Sequence, residues 1–160
     1  MGWLDCHLHE FRVVVDSKAG RVERFGIPID DSFGEPKVQP GWTVSVSDVV
    51  GKVTLPMLYT YDFGDDWHHV VIYEGGAPRD RKIAYPRCIS GARKCPPEDC
   101  GGVHGYGEFL EAIRDPKHER RAELLDWIGG PFDPDDFDAT KITFDDPKKR
   151  WKAASKNSLK

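Results

Sequence analysis

The sequence predicts an α+β domain, an antiparallel sheet with helices packed on one face. Two observations point there. Leu58–Phe63 and Trp67–Glu74 are rich in aromatic and β-branched residues and are separated only by Gly64-Asp65-Asp66, a connection short enough for an antiparallel hairpin. Further along, Tyr106, Phe109, Leu110 and Ile113 recur at helical spacing and define an amphipathic helix.

The remaining elements follow in chain order. Leu8–Val15 reads as a strand with His7, His9, Phe11, Val13 and Val15 on one face. Asp16–Gly41 carries scattered glycine and proline and reads as a loop-rich excursion. Ser47 or Asp48 supplies the N-cap of a short helix that Gly51 stops. In the second hairpin strand Trp67, His69, Val71 and Tyr73 point one way while His68, Val70 and Ile72 point the other, so both faces are apolar and an inner position is expected. Asp115-Pro116 starts another helix, with Leu124, Leu125 and Ile128 as its core stripe, and Gly129-Gly130-Pro131 ends it. Asp133-Pro134 starts a shorter helical turn, and Ile142-Thr143-Phe144 reads as a last short strand.

At 160 residues the chain has the length of one domain, and 39% hydrophobic with 31% charged residues is a globular composition. The boundaries expected are a domain over residues 1–147 and a basic tail over 148–160. No apolar run approaches the roughly 20 residues that cross a bilayer. The start Met1-Gly2-Trp3-Leu4-Asp5-Cys6-His7 lacks a basic region followed by an apolar stretch. A cytoplasmic protein without a membrane partner is the expectation.

A net charge of −4 argues against a polyanion-binding surface over the whole molecule, but the charge is uneven. Asp133, Asp135, Asp136, Asp138, Asp145 and Asp146 are followed by Lys148, Lys149, Arg150, Lys152, Lys156 and Lys160. Such a tail suits a phosphate backbone or an acidic protein partner, and equally a solvated terminus.

Two stretches concentrate chemistry. Asp62-Phe63-Gly64-Asp65-Asp66-Trp67-His68-His69 brings three carboxylates and two imidazoles to a tight turn, where Asp62, Asp65, Asp66 and His69 suit a divalent cation. The same aspartates are ordinary turn formers. The second stretch runs from Cys88 through Cys95-Pro96-Pro97-Glu98-Asp99-Cys100 to His104. Cys88, Cys95 and Cys100 with His69 make a candidate zinc set, His104, His7 and His9 being other sources of the imidazole. Buried or incidental thiols are the competing reading, since no C-x-x-C pair is present. Glu98-Asp99 suits an acid/base pair or a turn cap. Apart from zinc no cofactor is expected, because Gly101-Gly102 and Gly105 do not form a phosphate-binding fingerprint.

Gly2-Trp3 with His7-Leu8-His9-Glu10-Phe11, Tyr61-Asp62-Phe63-Gly64-Asp65-Asp66-Trp67 with His69, and Cys95-Pro96-Pro97-Glu98-Asp99-Cys100-Gly101-Gly102 with Gly105-Tyr106 together resemble the plasmid pRiA4b Orf-3-like family. Glu108-Phe109-Leu110, Trp127, Phe132-Asp133-Pro134 and Phe137-Asp138 extend the resemblance over nearly the whole chain. It implies an α+β fold with an antiparallel sheet, and an association with mobile elements, since some members are labelled insertion-element passenger proteins with a resolvase-like (TnpR-like) name. It also implies that a strand and helix usual before the Gly-Trp pair are missing here, which would expose a sheet edge. Matching positions are Asp62, Asp65, Asp66, Trp67, His69, Cys88, Glu98, Asp99 and Cys100, without assigned roles, whereas His68 falls at a variable position.

Three functions are therefore expected to compete. One is a non-enzymatic interaction or accessory domain with a structural or zinc-stabilised polar loop. Another is a metal-dependent hydrolase or nuclease using Asp66, His69, Glu98 and Asp99. The third is a DNA-binding accessory protein acting through the basic tail.

Overall fold

The computed structural model describes residues 2–28, 36–51, 53, 56–146 and 149. Nearly all of the basic tail therefore lies outside the described residues. The chain divides into two compact units, one of His7–Gly76 with Asp99–Gly107, the other of Met1–Cys6, Ala77–Glu98 and Glu108–Lys160. No helix among the described residues is long and apolar enough to cross a membrane.

The first unit is built on a five-stranded sheet of order β3-β2-β1-β4-β5, comprising β1 (His9–Asp16), β2 (Arg21–Gly26), β3 (Val38–Pro40), β4 (Met57–Tyr61) and β5 (Trp67–Val71). The sheet is mostly antiparallel, as expected, but β2 and β3 run parallel. The hairpin is present, with Tyr61 opposite Trp67 and Tyr59 opposite His69. Pairing of β1 with β4 sets His9 opposite Tyr61 and Phe11 opposite Tyr59. Side-chain alternation then puts His9, Phe11, Val13, Tyr59, Tyr61, Trp67 and His69 on one face. Val13, Phe25 and Met57 form the buried cluster, with Phe11, Val15, Val44, Val49, Val53 and Val71 packed against it.

The opposite face holds an ion network. The Arg24 guanidinium donates to Glu10 Oε2 from Nη2 at 2.6 Å and from Nε at 2.9 Å, and Arg12 Nε donates to Glu10 Oε1 at 2.6 Å. Glu10 and Arg24 are both buried. This network explains why β2 escapes a sequence reading. Arg21-Val22-Glu23-Arg24 falls inside the stretch read as loop from its scattered glycine and proline and offers little apolar alternation against that reading, yet Arg24 is neutralised by a residue on the neighbouring strand.

β5 is likewise not the inner strand its composition suggests. It closes the sheet order, and Val70 and Ile72 stand 68% and 65% exposed. Helix α1 (Val46–Val50) starts earlier than expected, with Ser45 as N-cap, and Asp48 Oδ2 accepts from the Ser45 backbone N–H at 3.0 Å and from its hydroxyl at 2.6 Å.

Helix α2 (Gly102–Arg114) carries the expected apolar stripe. In the second unit its residue Phe109 is buried and meets Phe132 edge-on at 5.2 Å and Trp127 at 6.4 Å. The following helix α3 (Arg121–Trp127) begins later than Asp115-Pro116. Asp115 Oδ1 instead accepts from Lys117 N–H at 2.9 Å, a turn that competes with the helix. Gly129 and Gly130 end α3 with φ of +82° and +142°, as expected. Asp133 also closes only a turn, accepting from Asp135 N–H at 3.0 Å, and residues 142–144 are irregular rather than a strand.

Candidate functional site

The site grows from the β4–β5 turn. Asp62 leaves β4 with φ +55°, a left-handed conformation that aspartate tolerates better than most residues. Its Oδ1 accepts from the backbone N–H groups of Gly64 at 2.9 Å and Asp65 at 3.3 Å. Its backbone carbonyl accepts from Asp66 N–H at 2.6 Å, and its own N–H donates to Leu8 O at 2.9 Å. One carboxylate oxygen thus holds the turn. The other, Oδ2, lies 3.7 Å from His7 Nδ1.

The loop before α2 meets this turn. Asp65 Oδ2 accepts from Gly101 N–H at 3.0 Å. Gly102 lies so close that a Cβ there would stand 2.3 Å from the Asp65 carbonyl oxygen. Asp99, with φ +57°, thereby sits beside His7, its Oδ1 3.2 Å from Nε2. The imidazole of His7 lies between the carboxylates of Asp62 and Asp99, and its ring meets Tyr61 edge-on at 5.9 Å. Side-chain exposure falls from 70% at Asp99 through 28% at His7 to 12% at Asp62, so the cluster opens to solvent at one end.

The other residues singled out in the sequence have different surroundings. Asp66 Oδ1 lies 2.9 Å from His68 Nε2 at the surface. His69 is half-buried on the core face, with Nδ1 3.3 Å from Tyr59 O. In the other unit Glu98 accepts from the Leu4 backbone N–H. Cys88 Sγ lies 3.4 Å from Ser90 O. Burial pushes the Cys95 thiol up to about 11, with the Glu98 carboxylate adding to the shift. Cys6, Cys88, Cys95 and Cys100 are all outside disulfides. Cys88 and Cys95 belong to one unit, Cys100 and His69 to the other, and Glu98 is likewise in a different unit from Asp66, His69 and Asp99.

His7 is the residue that sequence reasoning placed only at the margin, as one of several histidines able to approach a thiol set. The signal for it is the pairing of β1 with β4, since the register His9–Tyr61 carries residues before β1 alongside those after β4.

A mixed, mostly antiparallel five-stranded sheet with helices, carrying a polar cluster at the joined ends of β1, β4 and the loop before α2 among the described residues, defines an α+β protein. The chain belongs to the plasmid pRiA4b ORF-3-like protein family, whose profile matches residues 1–141. It is similar to the uncharacterised protein y4hQ of Sinorhizobium fredii, with 37% identity over 90% of this chain and 68% of that one. It is also similar to the crystal structure of MM3350 from Methanosarcina mazei Go1, a protein of unknown function, with 38% identity and a TM-score of 0.73 over 89% of this chain and 75% of that one.

Proposed function

We propose that the protein is a cytoplasmic interaction or accessory domain associated with mobile elements, and that its two polar stretches chiefly hold the fold. The observation that supports this reading is the work already assigned to the carboxylates. Asp62, Asp65 and Glu98 each accept a backbone N–H, and these bonds fix turns rather than leave a substrate-facing acid and base. Of the other groups the hydrolase reading uses, Asp66 lies beside His68 at the surface, His69 faces Tyr59 on the core face, and Asp99 lies beside His7. The exposed side chains of Val70 on β5 and of Ile72 just beyond its end are the surface offered to a protein partner.

The test has two arms. Purified protein is expected to leave phosphodiester and amide substrates intact with zinc, magnesium or manganese present. Hydrolysis abolished by Asp66→Ala or His69→Ala without unfolding would establish the metal-dependent hydrolase instead. In the second arm, a partner retained by the wild-type chain is expected to be lost from Val70→Lys/Ile72→Lys. A salt-dependent DNA affinity that disappears on removing residues 148–160 would favour the basic-tail reading.

A further inference from the structure

We infer that His7, Asp62 and Asp99 form a binding site for one divalent transition-metal ion. One ring nitrogen of His7 and one oxygen from each carboxylate lie within 4.8 Å of one another. Ligands held about 2.0–2.2 Å from a common ion stand some 3.4 Å apart in a tetrahedron. His7 Nε2 and Asp99 Oδ1, 3.2 Å apart, already have that separation. Asp62 Oδ2 lies 3.7 Å from the other ring nitrogen, Nδ1, so bringing all three ligands onto one ion requires a side-chain shift at the 70% exposed Asp99.

Chemistry favours a cation here over a simple ion pair. Two carboxylates face one imidazole, so even a protonated His7 leaves the trio with excess negative charge, which a divalent ion neutralises. One nitrogen with two oxygens is a borderline set, suited to manganese, iron or zinc and less so to magnesium or calcium, which prefer all-oxygen shells. Three protein ligands also leave coordination positions open on the side where Asp99 meets solvent.

The donors come from three segments whose positions are set independently of any ion. Asp62 N–H is bonded to Leu8 O, next to His7, and Gly101 N–H to Asp65, which aligns the loop bearing Asp99. Asp62 Oδ1 is engaged by Gly64 and Asp65, so its Oδ2 is the ligating oxygen and arrives already oriented. The site is distinct from the zinc set of Cys88, Cys95, Cys100 and His69, with which it shares no residue.

Manganese is the discriminating probe, because thiolates bind it poorly. The full chain, stripped with chelator, is titrated with manganese and followed by electron paramagnetic resonance. One ion per chain is expected, with Asp99→Asn and His7→Gln each weakening binding about tenfold or more. Asp99→Asn is the decisive variant, since a side chain 70% exposed is replaced without loss of packing, and its ion-free melting temperature should match the wild type. Zinc binding weakened by the same substitution supports the site equally. The inference is overturned if the chain takes up neither ion stoichiometrically, or if Asp99→Asn binds as the wild type does. It is also overturned if zinc is retained by Asp99→Asn but lost from the combined variant Cys88→Ser/Cys95→Ser/Cys100→Ser.

Discussion

The carboxylate of Asp65 accepts a hydrogen bond from the Gly101 backbone N–H at 3.0 Å, tying the β4–β5 turn to the loop that enters α2. The two polar stretches that stand out in the sequence, 36 residues apart at this bond, therefore meet in the folded chain. A charged acceptor for a backbone N–H at the start of a helix also complements its dipole. Asp65→Ala is expected to destabilise the protein by about 1.5–3 kcal/mol, the range for hydrogen bonds to charged groups. Asp65→Asn keeps an acceptor oxygen and should recover part of the loss. Urea unfolding of the two variants measures both, and equal stability of Asp65→Ala and wild type would deny the bond its role.

How much of this could be read without the structure depends on the distance between cooperating residues. The hairpin was legible because alternation and the Gly64-Asp65-Asp66 turn are local, and α2 because its stripe of Tyr106, Phe109, Leu110 and Ile113 lies in one helix. β2 was not, since Arg24 makes sense in a strand only once Glu10 is beside it. The place of β5 at the end of the sheet was hidden for a similar reason, as apolar residues on both faces describe a strand's capacity for burial and not its neighbours. At the site, Asp62 and Asp99 stood in visible motifs, but their meeting at His7 follows from strand register that no single segment encodes.

Glu10 and Arg24 carry the second prediction. Their side chains are 5% and 8% exposed, and removing Glu10 takes from buried Arg24 the carboxylate that its guanidinium grips through two nitrogens. Glu10→Ala should cost about 3–5 kcal/mol, enough to unfold a marginal domain at moderate temperature. The paired change Glu10→Met/Arg24→Met should cost much less, because burying two apolar chains of similar length removes both desolvation penalties. Thermal unfolding of the single and double variants decides this. A double variant as unstable as the single would show that the network is required as an ion pair and not merely as filled space.

Cys95 gives a prediction in pH. Its thiol is pushed from an ordinary 9.0 up to about 11 by burial, so the folded state holds the proton more tightly than the unfolded chain does. A group with a raised folded value contributes its stability fully below the unfolded value and loses it as pH rises toward the folded one. Stability is therefore expected to fall between about pH 9 and about pH 11 in the wild type, and less so in Cys95→Ala. At about pH 8.5, below that window, alkylation of Cys95 should lag behind that of exposed Cys6. Mass spectrometry after timed treatment with iodoacetamide reads the order of reaction, and simultaneous labelling would contradict a protonated, shielded thiol.

Gly102 tests the joint between turn and loop most severely. It is buried and has φ +66°, where a side chain is strained, and an added Cβ would lie 2.3 Å from the Asp65 carbonyl oxygen. Alanine at an ordinary helical position would be favourable relative to glycine by about 0.5–1 kcal/mol, so propensity alone predicts a gain. The left-handed backbone reverses that sign by roughly 1–2 kcal/mol, and the contact with backbone, which cannot swing aside as a side chain would, adds to it. Gly102→Ala should therefore separate the β4–β5 turn from the start of α2, weakening the Asp65–Gly101 bond as well. A loss of about 2 kcal/mol or more in chemical denaturation is expected, together with faster amide exchange at Gly101. Because that bond also aligns the loop bearing Asp99, the same substitution should lower manganese affinity at the His7–Asp62–Asp99 cluster without touching any ligand. An alanine variant as stable as the wild type would mean that the turn and the loop are not packed as tightly as the 2.3 Å approach requires.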